Sequence, residues 1–127
     1  CNSGVFLRTA DLADPVFTGI EVQVSNTHGR KELSRGGTAG AIYDCLAPAK
    51  NLVKAPGQWN QYRVLAVGRK IQTWINGQPI ADLAYDEKLY DDNPEGVIGL
   101  QVHGVGDKGP FSVRWKNIYI KPVEEKK

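Results

Sequence analysis

Apolar positions along this chain recur with a period of two, and no stretch of useful length shows the 3.6-residue period of a helix. Residues 19–25 read Gly-Ile-Glu-Val-Gln-Val-Ser, so Ile20, Val22 and Val24 point one way while Glu21 and Gln23 point the other. Strand-length runs also occupy 4–8, 40–44, 59–67, 70–75, 78–83, 97–103 and 111–123. Gly68-Arg69 and Asn76-Gly77 are tight-turn signals between them, the second strong because both its residues tolerate positive φ. Residues 26–38 form a polar, Gly-rich loop, 84–95 an acidic turn-rich passage and 104–110 another loop. Many short strands joined by such turns predict an all-β fold, an antiparallel two-sheet jelly-roll sandwich.

With 127 residues, 14 Gly and 7 Pro, the chain fits one β domain over residues 1–123, followed by a charged tail or linker at 124–127. A net charge of +2, with no basic stretch interleaved with aromatics, argues against nucleic acid as a partner. No apolar run is long enough for a membrane span. The two cysteines, Cys1 and Cys45, match no zinc spacing. Two readings stay open for them: two buried thiols, or one disulfide pinning the first strand to the strand of Tyr43, as an oxidising compartment permits.

Alternation also sorts side chains by face. In the late strand Ile98, Leu100 and Val102 form the apolar side, leaving Gly99, Gln101 and His103 together on the other. Arg8 falls on the side of Phe6. Should these strands be neighbours, Arg8, Glu21, Gln23, Gln101 and His103 form one polar patch. A wet outer face of an antiparallel sheet would explain the polarity equally, but a mid-strand glycine such as Gly99 often marks close approach of a ligand. Glu21 and His103 are the ionisable pair that could share base work or hold a divalent metal ion. Tyr43 and Lys54 flank long loops within reach of the patch, and Trp74, opposite Ile71, Thr73 and Ile75, offers a stacking platform for a sugar ring. Asp91, Asp92, Asn93 and Glu95 lack the spacing of a calcium loop and read as a solvated turn.

Seven motifs occur in order: Asn2-Ser3-Gly4-Val5-Phe6-Leu7-Arg8, Gly19-Ile20-Glu21-Val22-Gln23, Gly40-Ala41-Ile42-Tyr43, Trp59-Asn60, Trp74-Ile75-Asn76-Gly77, Gly99-Leu100-Gln101-x-His103-Gly104 and Arg114-x-Lys116-Asn117-Ile118. Together they resemble the 3-keto-disaccharide hydrolase family over nearly the whole chain. The resemblance implies a concanavalin A-like lectin/glucanase fold, and a secreted or periplasmic bacterial protein acting on an oligosaccharide or glycoside. The implied reaction is hydrolysis or elimination at the glycosidic bond of a sugar already oxidised at C3. Family members carry several strands before the Asn-Ser-Gly motif; these upstream strands of the same domain, on this or another chain, are an expected partner.

An ordinary glycosidase needs two carboxyl groups flanking the bond, and the patch holds only Glu21. A C3 ketone changes that requirement, because it acidifies the neighbouring C2–H. One base then suffices, Glu21 or His103, with Arg8 or a divalent metal on Glu21 and His103 to polarise the ketone. Gln23 and Gln101 would orient hydroxyls. Two other functions fit the same fold: a lectin-like binding module without catalysis, and a structural interaction domain of a larger secreted protein.

Overall fold

The computed structural model describes residues 2–84, 95–109 and 111–123, with Val16 and Phe17 described by backbone alone. It holds β1 (Asn2–Thr9), a four-residue helix α1 (Pro15–Thr18), β2 (Ile20–Ser25), β3 (Tyr62–Val67), β4 (Lys70–Ile75), β5 (Gln78–Ala84) and β6 (Val97–Leu100). The strands form two antiparallel sheets, ordered β2-β1-β6 and β3-β4-β5.

The sheets meet through the apolar sides of their alternating strands. Leu7 and Ile20, register partners in β1 and β2, pack with Ile42 and Ile71, and Val5, Val64, Ala66 and Leu83 complete this cluster. A second cluster joins Ala39, Val53, Ile75 and Ile80. Burying each large aliphatic side chain stabilises the fold by about 1.5–3 kcal/mol. The hairpin from β4 to β5 turns at Asn76 (φ 52°) and Gly77 (φ 83°), both left-handed as a two-residue primed turn requires.

Three expected strands are altered. Residues 40–43 line the outer edge of β2, where Gln23 N donates to Ala41 O and Tyr43 N to Glu21 O, each at 2.8 Å. Only the bridge Val22–Ile42 forms, because Ile42 also pairs with Leu46 and the chain turns back at once. Strand β6 stops at Leu100 instead of reaching His103, though Gln101 N still donates to Gly4 O at 2.9 Å. Residues 111–123 hold no strand, and Ile118, Tyr119 and Ile120 lie exposed. Alternation makes a segment competent to be a strand; a ladder also needs a partner. This segment is tied instead by Lys116, whose Nζ sits 4.1 Å above the Trp59 ring.

A bulge in β1 overturns one further expectation. Phe6 pairs with Gly99 but Thr9 pairs with Val97, so β1 carries one extra residue, and Arg8 absorbs it at φ 50°. Beyond the bulge, Thr9 joins the face of Phe6, Gly99 and Val97. Arg8 turns to the other sheet, where Nη1 donates to Gly68 O at 2.7 Å in the β3–β4 turn.

Residues 85–94, including Asp91, Asp92 and Asn93, lie outside the described residues, as do the tail at 124–127 and Cys1, so the Cys1–Cys45 pairing does too. Cys45 is exposed. Among the described residues, no helix is long and apolar enough to cross a membrane.

Candidate functional site

Register places the polar candidates in rows across the outer face of the β2-β1-β6 sheet. Directly paired residues share a face, so Glu21, Phe6 and Gly99 form one row, with Tyr43 beyond Glu21 at the β2 edge. Gln23, Gly4 and Gln101 form the next. The opposite face carries Val5, Val22 and Leu100, so none of the polar set is required by the core between the sheets.

Glu21 is 5% exposed, unusual for an ionisable side chain on an outer face. Its carboxyl group lies across Gly4, where the missing side chain makes room for it. Burial pushes the Glu21 pKa above its ordinary value of 4.5, and the positive charge of His103 pulls it partly back. His103 therefore lies near enough for its charge to act on Glu21. His103 is exposed, and its Nδ1 lies 2.6 Å from Gly104 O. A carbonyl only accepts, so this contact places a proton on Nδ1.

Around this pair the face divides into a filled part and an open part. Gln23 is 1% exposed and its Nε2 donates to Asn2 Oδ1 at 2.7 Å, which fixes the amide. Gln101 holds its backbone to β1 through Ser3 Oγ, which donates to Gln101 O at 2.6 Å, while its buried Oε1 has no hydrogen-bond partner. A side chain at Gly99 would meet nothing within 4 Å. That space belongs to a cavity of about 320 Å³ lined by Phe6, Thr9, Gly99, Gln101 and, from the β1–β2 connection, Leu12 and Pro15.

The remaining candidates are not all gathered here. Tyr43 is 38% exposed and sits beside Glu21 at the β2 edge. Arg8 does not point over Phe6 as strict alternation predicts, because the bulge sends it to Gly68 O. Lys54 is exposed on the loop before β3, its backbone N–H donating to Asn60 Oδ1 at 2.9 Å, and no contact brings it to Glu21. Trp74 stands on the outer face of the second sheet, stacked under Arg63 at 4.7 Å, on the opposite side of the sandwich. Thr9 and Phe6 line the cavity although alternation alone gave neither a role; the bulge that brings Thr9 there leaves no mark in the sequence. Among the described residues no three His, Cys, Asp or Glu side chains gather to hold a metal ion. Glu21 and His103 alone fall short of the three protein donors typical of a catalytic zinc centre.

Residues 1–121 match the model of a protein family described as the 3-keto-alpha-glucoside-1,2-lyase-like domain. Among solved structures, the chain is similar to a candidate glycosyl hydrolase from Parabacteroides distasonis. The TM-score is 0.61 and identity 30%, over 66% of this chain and 44% of that one. A second candidate glycosyl hydrolase from the same organism shares the fold, with TM-score 0.55 and 22% identity over 73% of this chain and 48% of that one. The chain thus spans under half the length of either structure. No curated protein matches it.

Proposed function

The chain belongs to the 3-keto-alpha-glucoside-1,2-lyase-like domain family, and from that premise we propose that it cleaves the glycosidic bond of 3-keto-glycosides by elimination, with Glu21 as the base. The observation that carries this reading is the Glu21 carboxyl group, almost buried on an outer sheet face and paired in charge with His103. A carboxylate whose affinity for protons is raised toward neutrality is suited to taking a proton from carbon.

In the proposed step Glu21 removes the C2 proton, and the C–H electron pair moves to the ketone oxygen at C3 to give an enolate. The enolate pair then returns to form the C1–C2 double bond and expels the glycosidic oxygen from C1. The leaving alkoxide takes a proton from the His103 imidazolium. Addition of water across C1–C2 would complete a net hydrolysis. Gln101 orients the sugar hydroxyls, Gln23 backs the site through its bond to Asn2, Tyr43 borders the reacting ring, and the cavity over Gly99 accepts the remainder of the glycoside. Arg8 supports this site from beneath, through the bulge. The fold is a concanavalin-like jelly roll, and the protein works outside the cytoplasm.

A lectin-like module is the second reading, supported by the open cavity over Gly99. The two differ in turnover. With a 3-keto-glucoside, Glu21→Gln abolishes cleavage while leaving the protein folded and still able to bind the sugar. Wild-type turnover in that variant would overturn the enzymatic reading.

A further inference from the structure

The outer face of the second sheet carries a separate cavity of about 250 Å³, lined by Trp74, Gln72, Pro79, Ala81, Asp82 and Ala49. A second bulge makes it. Trp74 pairs with Pro79 but Thr73 pairs with Ala81, so Ile80 is the extra residue, turned into the core at 2% exposure. The passage before β3 forms the far wall, because Ala49 N donates to Ile80 O at 2.7 Å along the β5 edge.

Within this cavity the Trp74 indole is fixed from one side. Arg63, its register partner in β3, stacks 4.7 Å from the ring centroid, leaving the flank toward β5 and the cavity. One row along stand Gln72 and Asp82, with Gln72 Nε2 donating to Asp82 Oδ2 at 3.2 Å and Lys70 Nζ 3.5 Å from the same oxygen. Both contacts fall on Oδ2, so Oδ1 keeps acceptor capacity.

We infer that this cavity is a second, non-catalytic saccharide-binding site that takes one pyranose ring of a neutral, unoxidised oligosaccharide. The ring's C–H face packs on Trp74 and Pro79, and adjacent hydroxyls bond to the Asp82 carboxylate and the Gln72 amide. An apolar wall beside one planar carboxylate suits a polyol better than its competitors. A purely apolar ligand would desolvate Asp82 without return, and an anion would meet its charge. An indole already held by Arg63 loses little rotamer freedom on binding. A single carboxylate provides no acid–base pair, so the site binds and does not cleave. It lies on the far side of the sandwich from Glu21, and either site can fail without the other.

The test is a ¹⁵N NMR titration of the full chain with cellotriose, maltotriose and laminaritriose, following the Trp74 indole N–H. At least one trisaccharide should shift that signal together with Gln72 and Asp82. Trp74→Ala should weaken the binding at least about tenfold, while Glu21→Gln leaves it unchanged. No shift at the Trp74 indole up to about 10 mM of any of the three overturns the inference. So does unaltered affinity in a folded Trp74→Ala protein, or equal loss in Glu21→Gln, which would assign the signal to the other face. Should Trp74→Ala fail to fold, Asp82→Asn replaces it, and unaltered affinity there overturns the hydroxyl contact that the inference requires.

Discussion

Glu21 of β2 occupies the space that a side chain on Gly4 of β1 would need: a Cβ at position 4 would stand 2.7 Å from Glu21 Cγ and 2.9 Å from its Cδ. The glycine is therefore part of the carboxylate's seat. Gly4→Ala should displace Glu21, destabilise the fold by about 1–3 kcal/mol through overpacking and reduce turnover more than substrate binding. Urea unfolding beside steady-state kinetics measures both. Unchanged kinetics in Gly4→Ala would mean that the carboxyl position does not matter.

The raised Glu21 pKa fixes the direction of two pH effects. A base must be ionised, so kcat/KM should fall on acidification with a midpoint above the ordinary carboxylate value of 4.5. The fold also holds this proton more tightly than the unfolded chain. The stability Glu21 contributes is then full below 4.5 and lost as pH rises through the folded value. Glu21→Gln, neutral throughout, should gain in Tm relative to wild type as pH rises above 4.5.

His103 opposes that shift, so removing it should move the acid limb further. With His103→Ala, the midpoint of kcat/KM is expected at higher pH than in the wild type, because only the burial effect remains. A pH–rate profile of the variant, with enough residual activity to fit, checks the direction. An unmoved midpoint would remove His103 from the electrostatics of the base.

Arg8 is predicted to act through structure. Loss of its bond to Gly68 O in Arg8→Ala should cost about 1–3 kcal/mol, as for other hydrogen bonds from charged groups. Arg8→Gly should recover part of this, since glycine adopts φ 50° without strain. Chemical denaturation of the two variants gives the order; equal losses would show that the backbone at Arg8 is unstrained.

Asn76 joins two motifs that lie apart in sequence. Its Nδ2 donates to Leu52 O and to Asn60 Oδ1, both at 3.0 Å, and its Oδ1 accepts from Gln61 N at 2.9 Å. Asn76→Ala loses these bonds and also places a Cβ-bearing, non-Asn residue at φ 52°. It should destabilise by about 2–4 kcal/mol, more than Gly77→Ala, whose φ of 83° carries backbone strain alone. Comparative melting of the two variants decides.

What alternation could deliver here depended on unbroken ladders. In β2 and β4 the inward residues Ile20, Val22, Ile71, Thr73 and Ile75 are buried, as read from the sequence, while Val24 near the end of β2 is half-buried. The Asn76-Gly77 turn also lies where its φ tolerance predicts. Arg8 was misassigned because a bulge depends on the pairing partner, and nothing local to Leu7-Arg8-Thr9 reports it. Trp74 was correctly placed opposite Ile71 and Ile75, yet a single strand cannot say to which of two outer faces it belongs. The 111–123 segment alternates well, but pairing is a property of two segments, and the pattern of one cannot supply the other. Face-sorting also groups Glu21 with Gly99 and Gln101, because β1 lies between β2 and β6; His103 stands beyond the end of β6, where alternation no longer governs direction.

The extra residue in β1 has a consequence for how such a sheet can diversify. Upstream of it, even-numbered residues look outward; downstream, odd-numbered ones do. Deleting Arg8 would heal the bulge: Thr9 would stay opposite Val97 on the outer face, and the reach to Gly68 O in the other sheet would be lost. Lineages carrying this sheet could therefore gain or lose that tie between the sheets with a single codon, leaving Glu21, Gly4 and the cavity wall in place.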